Sequence, residues 1–355
     1  MDAAQRPPSD FHQAYAKSIN PRVQKGEFGW RTTTPGLLAH AVRTYGWRFI
    51  PEQVLPPLVA NIAVGAVLYT SYLQILGVIH EPSSKSLKRV YPPPSPITTF
   101  GAGFTAGAIQ SFIAAPLDAL QVRFDKREKH YEKKTMWQYG RGKLHEIGAR
   151  GIFAGWGLSF LKDSFGNGVF FMAFEYIKAQ SYYEFVKWYY GSLEPFMISH
   201  LAMKRNTEHL EKHGQKTIKP HYAWEPTFLL GAGVAASVAQ QSILYPLTRF
   251  QTLHFERLEG LDQEARRLNA SAAPNRGKMF KAYYHAYQQT WNEVKIQAGA
   301  SGIRRWLFKA FWWNTVKNVP STSAGLIIFE LVRRRYGLDT GVVKINEDGY
   351  DILLS

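Results

Sequence analysis

The sequence predicts an all-α membrane protein, and three observations predict it: long windows free of charge, a segment that recurs in register, and basic stretches that fall on one side of the windows. About 20 mostly apolar residues suffice to cross a bilayer. Val54 to Ile79, Val90 to Leu117 and Pro226 to Leu247 are all without a charged residue. Two more apolar stretches, Trp156 to Ala179 and Phe308 to Val332, are interrupted by Lys162 and Asp163 and by Lys317. A charge at mid-membrane costs about 2.5 to 3.5 kcal/mol, so such residues face a wet cavity or a partner helix. A large buried core is the competing reading of the windows. Against it stand Trp156, Trp306, Trp312 and Trp313 at the window ends, which fit an interfacial belt.

The 355 residues carry a formal charge of +16, which suits anionic partners. Their mean hydropathy of −0.25 looks soluble only because apolar windows are averaged with basic loops. Phe124 to Phe153 holds eight Lys or Arg against four acids, and Leu253 to Arg305 nine against five. Both follow odd-numbered spans and share one side, the positive-inside pattern. The chain has no cysteine, which excludes a disulfide scaffold, a cysteine-ligated metal and a thiol nucleophile. Its eleven histidines show no metal-ligating pair within the windows, so no metal, cofactor or enzymatic constellation is expected. The basic loops lack a platform of interleaved aromatics, so anionic lipid is the expected contact and nucleic acid is not.

Internal repetition gives the topology. GAGFTAGAIQSFIAAPLDALQ from Gly101 and GAGVAASVAQQSILYPLTRFQ from Gly231 align without a gap, each with proline fifteen residues on, at Pro116 and Pro246. The small pairs Gly103/Gly107 and Gly233/Ser237 allow close helix approach. Each proline is expected to kink its helix. A second pair lies downstream: Lys162 and Lys317 each stand twelve residues before the aromatic of a Phe-Glu-x-x-basic end, Phe174/Glu175/Lys178 and Phe329/Glu330/Arg333.

These residues resemble the mitochondrial carrier family, whose members have three repeats of about one hundred residues. The resemblance rests on Pro116, Asp118 and Arg123 of the odd-helix signature, with Gln121 at its first base, and on Pro246, followed by Thr248, Gln251 and Leu253 instead of charges. The two complete Phe-Glu-x-x-basic ends carry it further, with the short-helix motif partly kept at Ile147, Gly148, Phe153, Ala154 and Gly155. It implies a three-fold pseudo-symmetric bundle. Residues 1–35 are expected to be a polar N-terminal segment, 36–80 an incomplete first repeat and 95–190 the second. A long polar loop at 191–225, a third repeat at 226–340 and a tail at 341–355 follow. Leu37 to Tyr45 reads as a remnant short helix. Counting back from Tyr72, the counterpart of Phe174, places the first proline near Ala14 in a polar segment that cannot span. Five spans with the first helix missing are therefore expected, or a lost upstream exon.

The resemblance also implies roles. Lys162 and Asp163, Lys317 and Asn318, and Asn61 fall at central substrate positions, and the Lys-Asp pair resembles that of amino-acid-carrying members. Mutual neutralisation of Lys162 and Asp163 is the plainer alternative. Glu175 is expected to pair with Arg333 in a cytosolic gate, while Lys178 and Glu330 would face Leu73 and Leu76 without partners. In the matrix gate Asp118 would face Gln251 and Gln121 would face Thr248, with Arg123 beside them. Phe153 and Gly155 fall where the family clasps cardiolipin. The expected protein is a monomeric inner-membrane transporter of a small anionic or amino-acid-like metabolite. The alternative is a non-transporting carrier-like protein of the mitochondrial, even outer, membrane, acting in organelle assembly or dynamics.

Overall fold

Apolar runs interrupted only by glycine and proline become long helices. The structure is a computed structural model that describes residues 55–84, 92–127, 151–191, 216–269, 276–336, 343–347 and 350–354, with isolated residues between. The polar segment 1–35 and most of the remnant helix at Leu37 to Tyr45 lie outside the described residues.

The first helices are α1 (Leu55–Ile79), α2 (Pro96–Arg127), α3 (Trp156–Glu175), which continues through a π-helical turn (Tyr176–Ser181) into α4 (Tyr182–Tyr190), and α5 (Trp224–Asn269). They are followed by α6 (Arg276–Ala298), the short α7 (Ile303–Leu307) and α8 (Phe311–Tyr336). Parts of α1, α2 and α5, at Leu58–Ile79, Pro96–Leu120 and Trp224–Leu258, are long and apolar enough to cross a membrane. Each overlaps one of the three charge-free windows. The two charge-bearing stretches also form continuous helices, of 20 residues in α3 and 26 in α8. Much of the outward surface is apolar: Ile62, Val78, Phe112, Val316 and Ile328 are each more than half exposed. Such a surface suits lipid rather than water.

Pro116 and Pro246 sit inside α2 and α5 and do not end them. Each lacks the N–H that would bond the carbonyl four residues back, at Phe112 and Ser242. Sequence reasoning passed over Pro320, inside α8, which likewise releases the carbonyl of Val316 beside Lys317.

By its internal contacts the chain forms two compact units. The first holds Met1–Leu68, Ala108–Asp163 and Ile243–Asn314; the second holds Tyr69–Gly107, Ser164–Ser242 and Thr315–Ser355. In the first, Ala119, Phe255, Leu258 and Ala286 make a buried core where α6 packs on α5. There the buried His254 hydrogen-bonds Thr290 Oγ1 at 3.0 Å and stacks on Tyr287, whose hydroxyl donates to the Ala154 carbonyl at 3.1 Å.

In the second unit the repeat's small residues set helix approach. A Cβ on Gly103 would stand 2.7 Å from the Asn167 carbonyl oxygen, so α2 and α3 meet backbone to backbone there. At the matching place in the other copy, Gly233 lies against Ser323, and Ser237 Oγ accepts from Thr322 at 2.7 Å. Tyr72 of α1 stacks on Phe171 with ring centroids 3.7 Å apart.

A three-stranded sheet completes the second unit. Strand β1 (Lys216–Ile218), from the polar loop, pairs parallel with β3 (Tyr350–Leu354), which pairs antiparallel with β2 (Val343–Glu347), in the order β1-β3-β2. The helical class predicted neither strand of the tail nor the strand of the loop. Ile218, Tyr350 and Ile352 pack on the buried stripe Tyr182, Val186 and Tyr190 of α4, at helical spacing of four. The Tyr350 hydroxyl donates to the Tyr190 carbonyl.

Candidate functional site

An ammonium inside a helical bundle needs acids close enough to offset its desolvation. In the first unit Lys162 of α3 meets this need twice. Its Nζ lies 2.6 Å from Asp118 Oδ2 of α2 and 3.7 Å from Asp163 Oδ1, the next residue on its own helix. The Lys162 and Asp163 side chains are 12% and 9% exposed, that of Asp118 32%. Asp163 Oδ2 is buried with no hydrogen-bond partner among the described residues.

The residues expected in the matrix gate are bonded to other partners: Asp118 holds Lys162, the lysine assigned to the substrate. Gln251 is buried and donates through Nε2 to Ser159 Oγ at 2.6 Å. The physical reason is the missing base: with Gln at 251 and Leu at 253, α5 offers Asp118 no cation there, whereas Lys162 does. Neutralisation of Lys162 by Asp163 is thus only the longer of two contacts. Gln121 and Arg123 lie on α2, but their side chains lie outside the described residues.

Around Pro246 the contacts serve packing. Arg249, one residue beyond the lost acid at Thr248, donates to the Trp306 carbonyl and lies over its indole at 4.4 Å. The Tyr245 hydroxyl donates to the Lys309 carbonyl. Both hold the turn before α8, where Ala310 takes the left-handed φ of 64°. Trp306 is therefore not a free interfacial ring, and Trp156 donates its indole N–H to Ser111 Oγ at 3.1 Å. Trp312 and Trp313 are exposed as expected of a belt.

In the second unit a similar cluster forms around Lys178. Its Nζ lies 2.8 Å from Glu175 Oε1 and 3.4 Å from Glu330 Oε2 of α8, with side chains 9%, 9% and 3% exposed. It also stands 5.1 Å from the centre of the Phe174 ring. This explains the Phe-Glu-x-x-Lys order, since the ring and the acid both flank the ammonium from one helical turn back. It corrects a second expectation: Lys178 and Glu330 do not face Leu73 and Leu76 without partners but bond each other. Arg333 is on α8 with its side chain outside the described residues. The π-helical turn that begins at Tyr176 carries Lys178, and no sequence signal had marked it.

The remaining candidates are placed singly. Asn61 is exposed on α1; Lys317 is exposed and Asn318 half-buried on α8. Phe153 is 40% exposed, while Gly155 is buried. A Cβ on Gly155 would lie 2.2 Å from a Phe255 ring carbon, so this glycine makes room for Phe255. Among the described residues no group of three metal-ligating side chains occurs.

Membrane-compatible helices, repeated in sequence and holding charged side chains between them, fit a multi-pass membrane protein. Residues 92–184 match the family model described as mitochondrial carrier protein. Over that stretch the chain is similar to mitochondrial carrier proteins. It is 30% identical over 128 residues to human solute carrier family 25 member 45, a match covering 34% of this chain and 43% of the relative. The mouse protein of the same name is 28% identical over 158 residues, 41% of this chain and 54% of the relative. The chain thus spans about half the length of the curated relatives it matches. No solved structure matches it significantly.

Proposed function

We propose that this protein is a mitochondrial membrane transporter that moves a small metabolite bearing an anionic group, by alternating access. The carrying observation is Lys162: a buried ammonium on α3, at a position the family uses for substrate, held by an acid from another helix at 2.6 Å. Of the two carboxylates that flank this cation, Asp118 is a third exposed, and Asp163 keeps an oxygen with no hydrogen-bond partner among the described residues. Such a site takes a ligand of mixed charge: an anionic group for Lys162 and an ammonium for Asp163 Oδ2. That supports an amino-acid-like substrate. Lys317, Asn318 and Asn61 are the other positions that the resemblance assigns to the substrate, and Glu175, Lys178, Glu330 and Arg333 those it assigns to the cytosolic gate.

The three repeats take residues 36–80, 95–190 and 226–340, and the chain acts as a monomer in the inner membrane. Phe153 and the backbone at Gly155 would meet an anionic, cardiolipin-like headgroup at the start of α3. Lys162→Ala and Lys317→Ala are each expected to abolish uptake into proteoliposomes of any probe the wild type moves. Unchanged uptake in both variants would remove the site assignment, and a wild type that moves no probe would favour the non-transporting reading.

A further inference from the structure

Resting on that reading, we infer that Asp118 occupies the place on Lys162 that a ligand's anionic group takes, so that ligand and Asp118 compete for one ammonium. The cluster already has two carboxylates for one ammonium. A ligand anion entering it would make three, and like charges at contact distance inside a low-dielectric bundle repel strongly. One acid must therefore give way. Asp163 cannot: it adjoins Lys162 on the same helix and its side chain is 9% exposed.

Asp118 can give way. Its side chain is a third exposed, it belongs to a different helix, and it stands two residues beyond Pro116. The proline removes the hydrogen bond to the Phe112 carbonyl, so the turn carrying Asp118 is less tightly tied to the helix behind it. Five residues before the proline, Trp156 holds Ser111 and keeps that part of α2 on α3. Ligand binding would thus release the segment of α2 past Pro116 while the segment before it stays attached. Asp118 is then a specificity-determining residue: weak anions fail to displace it, and its release couples occupancy to movement of α2.

The test is ligand-induced thermal stabilisation of the purified full chain in detergent, titrated separately with succinate, inorganic phosphate and glutamate. Asp118→Asn is expected to lower the half-maximal concentration of at least one probe by tenfold or more relative to wild type. Asp118→Asn combined with Lys162→Gln should lose the response. A cooperative unfolding transition of Asp118→Asn without ligand guards against a folding defect in the amide variant. Equal midpoints for wild type and Asp118→Asn, with the response lost on Lys162→Gln, would overturn the competition and leave the anion site standing. A response that survives Lys162→Gln, or no response from any variant, would overturn the site itself and the competition with it.

Discussion

The two charge clusters each join one lysine to two carboxylates and differ in how completely they are closed. Each places one lysine between a carboxylate of its own helical run and a carboxylate from another helix: Lys178 with Glu175 and Glu330, Lys162 with Asp163 and Asp118. Around Lys178 all three side chains are at most 9% exposed, and the Phe174 ring lies beside the ammonium. Around Lys162 the acid from the other helix is 32% exposed, and the local acid keeps an oxygen without a hydrogen-bond partner among the described residues. The first arrangement suits a lock. The second suits a site, because one of its partners can be exchanged without unpacking the bundle.

Breaking the closed cluster should have the largest effect. Lys178→Ala leaves two buried carboxylates facing each other and is expected to cost about 3 to 5 kcal/mol, read as a fall in thermal unfolding temperature in detergent. Glu330→Gln keeps a hydrogen-bond acceptor and should cost less than Lys178→Ala. Lys162→Ala is expected to sit near the low end, about 3 kcal/mol, because Asp118 can turn toward water. If Lys162→Ala proves the more damaging of the two, the distinction between lock and site fails.

A third substitution asks what the glycine before α3 is for. Gly155→Ala drives a methyl group into the Phe255 ring and should cost about 1 to 3 kcal/mol by overpacking, with Phe255→Leu restoring most of the loss. A stability unchanged by Gly155→Ala would return that glycine to a purely lipid-facing role. The smallest effect is expected at Gln251→Leu, about 1 kcal/mol for the hydrogen bond to Ser159. A much larger loss there would mean that Gln251 still serves as part of a gate.

How much of this was legible in the sequence follows from the range of each interaction. The helices that can span were visible because a charge-free window is a local property, and the in-register repeat placed Gly103 and Gly233 at close crossings. The Phe-Glu-x-x-Lys order was also visible, since its ring, acid and base are within one helical turn. The pairing of Lys162 with Asp118 was not, because it joins residues 44 positions apart and replaces a pairing that the family pattern assigned elsewhere. The sheet was missed for two reasons. β1 pairs with a strand more than a hundred residues away, which no local pattern reports. The hairpin of β2 and β3 did leave a signal: Asp348-Gly349 stands between alternating residues, and Glu347 pairs with Tyr350.

The most direct measurement is exchange of labelled phosphate, succinate and glutamate by the full chain in proteoliposomes, comparing wild type with Lys162→Ala and Asp118→Glu. The account predicts that the wild type exchanges at least one probe, that Asp118→Glu retains it, and that Lys162→Ala exchanges none. Exchange by Lys162→Ala at the wild-type rate would contradict it.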